Sequence, residues 1–410
     1  MFAAPVPLIK RLLPLYAAVF LQGFVLWYAI EKLFMRRIGF DDAGIGIMVA
    51  AYSAVMLLIE TPSGILADRW SRKGVLMLAS IAMAASSIVG GISQGIPMYL
   101  VCAALWGVFF ALHSGTFDSV LYDALLEADG NSKKYERYYG RLKMVDSLAL
   151  VLGSVLGGLL AAKFGLRAAY FWTVPLALLT IVALTLFKEP KLHKAHADAA
   201  IGQHVRRTFA AVLQKGHVLY ILTVLVILSA LSYGLFEFSQ LWWIALAVPV
   251  FIFGPANGLL LGTIGLGGFA ASRLKLHRYR AVQATLLTML LAAAVLALWR
   301  SAPVAVICQL VVSTGAIGLI VVFNRLLHDT LPSQVRAGAS SAVSTLTRVL
   351  LIPLSLLFGY ISRQVSVFVA TWVFVVLLAA AMVVVSRMFT GQSAAPATAR
   401  DELDVEEYQK

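Results

Sequence analysis

Titratable side chains are scarce in this chain, and several stand inside long apolar runs. His113, Asp118 and Asp123 follow one another in His113-Ser114-Gly115-Thr116-Phe117-Asp118-Ser119-Val120-Leu121-Tyr122-Asp123. Steps of five turn a helix by about 140°, so the three do not share one face. Asp146 lies one to two turns into another apolar run, Glu60 near the end of a third, and Arg348 well inside a fourth. A charge in hydrocarbon is costly unless it is paired or faces a polar cavity. The chemistry open to such groups is proton exchange, since two carboxylates brought close share a proton. Asp118, Asp146, Glu60 and His113 are therefore the proton-coupling candidates. Structural readings stand beside them: an ion pair for Glu60, a hydrogen bond across helices for His113, and a pair with Arg141 or Lys143 for Asp123. Gln22, near the middle of the first run, and Arg348 are candidates for cargo contact. Glu31 and Glu237 end their runs near the outer side and read as interfacial.

The elements that position these groups are membrane helices. Of 410 residues, 60% are hydrophobic and 13% charged, against about 25% charged in a soluble domain, and the mean hydropathy is +0.87. A helix needs roughly 20 apolar residues to cross a bilayer. Spans are expected at 12–30, 43–66, 75–93, 97–122, 140–162, 168–187, 218–238, 248–271, 281–299, 302–324, 337–361 and 365–386. The fold class is all-α, with twelve transmembrane helices in two pseudo-symmetric six-helix bundles. The halves are 1–187 and 218–387, joined by a cytoplasmic connector at 188–217 and followed by a disordered acidic tail at 388–410. Leu241-Trp242-Trp243 reads either as an interfacial anchor or as part of a longer run.

The net charge of +13 does not call for nucleic acid, because it follows the topology. With the N-terminus inside, only Lys32, Arg36, Arg37, Lys163, Arg167, Arg300 and Arg363 of the 33 basic residues fall outside. One missed span would invert every later loop and destroy that bias. Cys102 and Cys308 lie in apolar runs without a CxxC partner, so neither a metal site nor a disulfide is expected. The connector's His193, His196 and His204 lack a completing cluster and read as a solvated basic linker. The first run reads as a retained helix rather than a signal peptide. The chain holds no phosphate-binding Gly-x-x-x-x-Gly-Lys-Ser/Thr loop, hydrolytic triad or di-metal cluster, so neither an ATP-driven pump nor an enzyme is expected.

Between the second and third spans stands Glu60-Thr61-Pro62-Ser63-Gly64-Ile65-Leu66-Ala67-Asp68-Arg69-Trp70-Ser71-Arg72-Lys73-Gly74-Val75-Leu76. It resembles the signature loop of the major facilitator superfamily, roughly Gly-x-Leu-Ala-Asp-Arg-x-Gly-Arg-Lys. Gly64, Leu66, Ala67, Asp68, Arg69, Arg72 and Lys73 match, and Ser71 stands where the family usually has Gly. Gly64 is expected to allow close backbone approach. The resemblance implies a cytoplasmic gating loop, with those roles on Asp68, Arg69 and Arg72; Asp123 and Arg141 join them as gating candidates at the inner boundary. A plain topological anchor is the alternative. Gly268-Phe269-Ala270-Ala271-Ser272-Arg273 repeats the segment one half-chain later in degraded form.

Glu60-Thr61-Pro62-Ser63-Gly64 is similar to a second-span form found in efflux-like branches. Gly153-x-x-x-Gly157-Gly158 partly resembles the glycine motif of drug–proton antiporters, with Leu156 where proline is usual. The arginine expected early in the fourth span is absent from Ala103-Ala104-Leu105-Trp106-Gly107. Phe20, Phe24, Trp27 and Tyr28 form an aromatic face that, with Phe110, lines a cargo cavity or else contacts lipid. The resemblance implies a secondary transporter working by alternating access, exporting a small amphipathic molecule or drug against protons. Metabolite uptake or facilitated diffusion on the same fold is the alternative. No cofactor is expected beyond protons, and the partners are a small-molecule cargo and membrane lipid. The expected setting is a monomer in a bacterial inner membrane, with both termini cytoplasmic.

Overall fold

The computed structural model describes residues 8–129, 135–190, 216–273, 276, 278–331 and 333–390. Most of the expected connector 188–217 and tail 388–410 lies outside these residues. The described chain is helical: α1 (Leu8–Gly23), α2 (Glu31–Arg37), α3 (Asp42–Arg69), α4 (Arg72–Ile92), α5 (Ile96–His113), α6 (Thr116–Asp129), α7 (Tyr135–Phe164) and α8 (Leu166–Leu186). It continues with α9 (Gly216–Ala245), α10 (Val250–Arg273), α11 (Tyr279–Leu298), α12 (Ala302–Thr330), α13 (Ser333–Gln364), α14 (Val367–Ala370) and α15 (Trp372–Thr390). Among the described residues, twelve stretches are long and apolar enough to cross a membrane. Each overlaps one expected span.

Local chemistry sets several helix ends. Ser71 caps α4 by accepting the Gly74 amide at 2.8 Å, and Ser366 caps α14 through the Val369 amide at 3.3 Å. Prolines stand in the first turns of α5 and α12, where a missing amide hydrogen costs nothing. Both signature segments close a helix, α3 at Arg69 and α10 at Arg273.

Three spans differ from the expected continuous helices; the last is interrupted only at Thr371, between α14 and α15. The first stretch, Lys10–Arg37, is interrupted between Gly23 and Glu31, with only a short 3-10 turn at Tyr28–Ile30. The freed Leu26 amide is satisfied by Thr173 Oγ1 of α8 at 3.2 Å. The fourth stretch breaks at Ser114 and Gly115, the latter at φ +70°. Asp118 therefore sits in the first turn of a new helix, not within a continuous fourth span. Leu241-Trp242-Trp243 belongs to the longer run α9; Trp242 and Trp243 are 0% and 1% exposed, so they are core and not an interfacial anchor.

The chain forms two compact units that depart from the linear halves at two places. The first comprises Met1–Phe40, Ala51–Ala197 and Pro249–Leu261; the second comprises Asp41–Ala50, Asp198–Val248 and Gly262–Lys410. Small residues explain the departures. In the second unit Gly46 of α3 faces the Ser355 carbonyl, where a Cβ would stand 2.4 Å away, and Gly359 faces the Asp42 carbonyl. Ser362 donates to Asp42 at 2.7 Å and Arg363 pairs with Asp41 at 3.0 Å. In the first unit Gly254 of α10 lies against Ser154, Val155 and Gly158 of α7, and Asn257 donates to Ser154 Oγ at 2.9 Å. Lipid offers helices no hydrophobic gain from meeting, so close backbone packing and hydrogen bonds carry such contacts.

One face of α7 also receives the broken first span. A Cβ on Gly157 would stand 1.8 Å from the Leu26 carbonyl oxygen, and one on Gly153 would stand 3.0 Å from the Phe24 Cα. The Gly23 backbone rests on Ala149. Leu152, Leu156 and Leu159 turn outward on the opposite face. The glycine motif thus houses irregular backbone. By contrast, a Cβ at Gly64 would meet nothing within 4 Å among the described residues, so the expected close approach there is not found.

Candidate functional site

The titratable groups of the first unit form a polar line. On α4, Ser80 accepts from Gln22 Nε2 at 3.5 Å; Gln22 Oε1 in turn lies 3.3 Å from His113 Nδ1, at the end of α5. Gln22 is 3% exposed and engaged at both ends of its amide, so its role in this structure is to join α1 to α4 and α5. The His113 ring packs against Phe109 and Phe117, with centroids 5.4 and 5.2 Å away.

Past the break, Asp118 meets Lys143 of α7 at 3.2 Å. The approach is outside aligned hydrogen-bond geometry for Asp118 Oδ1, so this is an ion pair held by charge. The Lys143 ammonium also lies 5.2 Å over the Tyr139 ring and within electrostatic reach of Asp146. Asp146 is half-buried, one turn before the Ala149 that supports Gly23; among the described residues its carboxylate has no hydrogen-bond partner. One ammonium therefore serves two carboxylates. Burial, and then the Asp118 charge, push the phenol of Tyr135, just ahead of this span, up to about 12. It stays a donor and not a base.

The gating candidates separate. Arg72 pairs with Asp123 and donates to the Ser119 carbonyl at 3.2 Å. The expected partners of Asp123, Arg141 and Lys143, are placed elsewhere. Arg141 lies over the Tyr138 ring at 5.5 Å, and Lys143 is with Asp118. Lys73 donates to the Thr185 and Phe187 carbonyls at 3.3 and 3.0 Å, closing the end of α8. Ser71 Oγ and the Lys73 amide both donate to Glu189, at 2.6 and 3.1 Å. The basic turn is thus a staple holding α4, α6 and α8 of one unit. Arg69 is exposed at the end of α3, and the Asp68 side chain lies outside the described residues. Glu60 is half-buried, and its carbonyl accepts from Ser63 Oγ at 2.8 Å; the same hydroxyl reaches the Ala111 carbonyl at 2.9 Å.

The expected cavity wall divides as well. Trp27 is 0% exposed, stacked on Tyr170 at 5.0 Å and edge-on to Trp106 at 4.7 Å, and its Nε1 donates to Ser87 at 3.1 Å. It has no surface to offer a cargo and is core. Phe24 and Phe110 are half-buried, beside Phe20 at 5.0 Å and Trp106 at 5.0 Å respectively. In the second unit, Arg348 is 6% exposed with its guanidinium 4.3 Å above the Tyr233 ring. Such stacking suits a desolvated cation.

Sequence reasoning missed the most buried charges. Glu31 and Lys32 are 5% and 1% exposed and form an ion pair. Tyr99 donates to Glu31 Oε1 at 3.0 Å, and the Tyr99 and Tyr170 hydroxyls lie 2.8 Å apart. Glu31 is therefore not interfacial. The available signal was two adjacent opposite charges immediately after Gly23-Phe24-Val25-Leu26, a stretch that the glycine face of α7 holds out of helix.

The family model described as Major Facilitator Superfamily matches residues 12–355. Multidrug resistance protein Stp of Mycobacterium tuberculosis is 24% identical over 243 residues, covering 59% of this chain and 41% of that protein. Inner membrane transport protein YajR of Escherichia coli is 25% identical over 230 residues, covering 53% and 48%. The chain thus spans less than half the length of either relative. The crystal structure of nucleoside transporter NupG superposes with a TM-score of 0.73 at 13% identity, covering 95% of this chain and 100% of that one. That likeness is one of fold.

Proposed function

As the chain belongs to the Major Facilitator Superfamily, we propose that it is a secondary transporter exporting a small amphipathic molecule in exchange for protons. The observation that carries this reading is the trio Asp118, Lys143 and Asp146. One ammonium balances one of two carboxylates, which leaves a site for a proton or for a cationic cargo. Occupancy by either changes the local charge by the same amount, so the two compete, as exchange requires. Asp146 is the proton-carrying residue in this proposal, and Asp118 holds Lys143 in place. Drug-resistance relatives support export as the direction. The charge bias supports an orientation with both termini cytoplasmic.

The test is flux of a dye and drug panel in proteoliposomes under an imposed pH gradient. Wild type is expected to move at least one compound against an inward proton gradient. Asp146→Asn is expected to lose roughly tenfold or more of that driven flux. Asp118→Asn and Glu60→Gln serve as comparisons. Influx driven by the same gradient would point to uptake, and undiminished driven export by Asp146→Asn would remove it as carrier.

A further inference from the structure

Five of the seven basic residues that the charge bias places outside lie in two short segments, 32–37 and 163–167. This concentration runs against the bias that governs the rest of the chain. Both segments belong to the first unit, and between them is a cavity of about 390 Å³ lined by Phe34, Arg37, Phe164, Gly165 and Arg167, among others. Arg167 is held in place: it donates to the Gly91 carbonyl and, at 2.7 Å, to the Ser93 carbonyl, and its guanidinium lies 5.4 Å over the Phe34 ring. Arg37 is exposed at the end of α2 and, among the described residues, has no carboxylate partner. Lys163 stands beside the cavity, 5.2 Å over the Phe164 ring.

The acids nearby in sequence are engaged. Glu31 is held by Lys32 and Tyr99, Asp41 by Arg363 and the Gly44 amide, and Asp42 by Ser362. The first amides of α8 add to the positive field, because Gly165 at φ +89° has no side chain to cap them. The cavity thus presents two guanidiniums, Arg167 anchored and Arg37 exposed, beside the Phe164 ring at a membrane boundary. Exposed Phe171 and Trp172 continue the apolar surface along α8 toward the hydrocarbon.

We infer that this cavity binds a phosphate group, supplied by the headgroup of an anionic phospholipid in the expected outer leaflet. The guanidiniums hold the phosphate oxygens through charge-assisted hydrogen bonds, and the glycerol and upper acyl carbons lie on the exposed Phe164 and on Leu166. The inference is independent of the cargo and of the direction of transport.

Thermal unfolding of the full chain in detergent tests it, with three additions: dioleoyl phosphatidylglycerol, dioleoyl phosphatidylcholine and inorganic phosphate. Native mass spectrometry of the same samples counts bound lipid. Phosphatidylglycerol is expected to stabilise wild type beyond phosphatidylcholine. Arg37→Gln is expected to bind it about tenfold more weakly, the scale of one lost charge-assisted hydrogen bond. Arg300→Gln, which removes an outer-side arginine stacked on Phe368, is expected to behave as wild type. Equal stabilisation by inorganic phosphate, with no retained lipid, would keep the phosphate site and overturn the lipid as its source. Equal effects of the two lipids without a phosphate effect, or undiminished binding by Arg37→Gln, would overturn the site.

Discussion

Lys32→Met is expected to destabilise the protein by about 3–5 kcal/mol, the range for breaking a buried ion pair from one side. Lys32 and Glu31 are 1% and 5% exposed, so water cannot replace the lost cation. The Tyr99 hydroxyl still donates to Glu31, but a neutral donor does not offset a buried charge. Met keeps most of the side-chain length, which separates the charge effect from a cavity effect. The double variant Glu31→Gln/Lys32→Met is expected to recover most of the loss, because no charge then remains to be desolvated. Unfolding by detergent titration, read by tryptophan fluorescence, measures both; Trp27 lies 5.0 Å from Tyr170, whose hydroxyl contacts Tyr99. A single variant as stable as wild type would mean that the Lys32 charge is not what holds Glu31 in this setting.

The location of this pair shows where the sequence stopped being informative. Hydropathy revealed every span, because hydrocarbon demands about 20 apolar residues per crossing whatever the neighbours are. Basic residues give the expected loop orientation for a similarly local reason. Interruptions inside spans are not local. The break after Gly23 is stabilised by Thr173 on α8 and by the glycine face of α7, neither of which is near in sequence. Treating the first span as one helix ending near residue 30 placed Glu31 at an interface, whereas the irregular stretch carries it into the core. The fourth span behaves alike: depth counted along a continuous helix misplaces Asp118 once Gly115 turns the chain. The signature turn was legible as a motif. The partners of its charged residues were not legible, because Asp123 lies within reach of several basic residues by sequence and only packing selects Arg72.

Gly157→Ala and Gly64→Ala are the same chemical change, both in motif glycines of helices, and are expected to give opposite results. In an exposed helix, alanine is favoured over glycine by about 0.8–1.0 kcal/mol. At Gly64 that gain meets no opposition, since a Cβ finds no atom within 4 Å, and the variant is expected to be as stable as wild type or slightly more so. At Gly157 the new Cβ would stand 1.8 Å from the Leu26 oxygen, 2.6 Å from its carbonyl carbon and 2.9 Å from its Cα. All three are backbone atoms, so no rotamer change relieves the clash. The segment cannot withdraw freely either, because the Leu26 amide is held by Thr173 and Gly153 is pressed against Phe24. Overpacking of this kind costs about 1–3 kcal/mol or more, enough to outweigh the helix preference. Transport is expected to suffer with stability, since Gly23 rests on Ala149, one turn from Asp146. Gly74→Ala provides an intermediate case: there the three atoms nearest the Cβ all belong to the Trp70 side chain, the first at 2.8 Å, and a side chain can rotate away. An order of stability running Gly64→Ala, Gly74→Ala, Gly157→Ala supports the packing of the broken first span on α7. Equal stability of all three would mean that the span is not seated against Gly157 in the membrane.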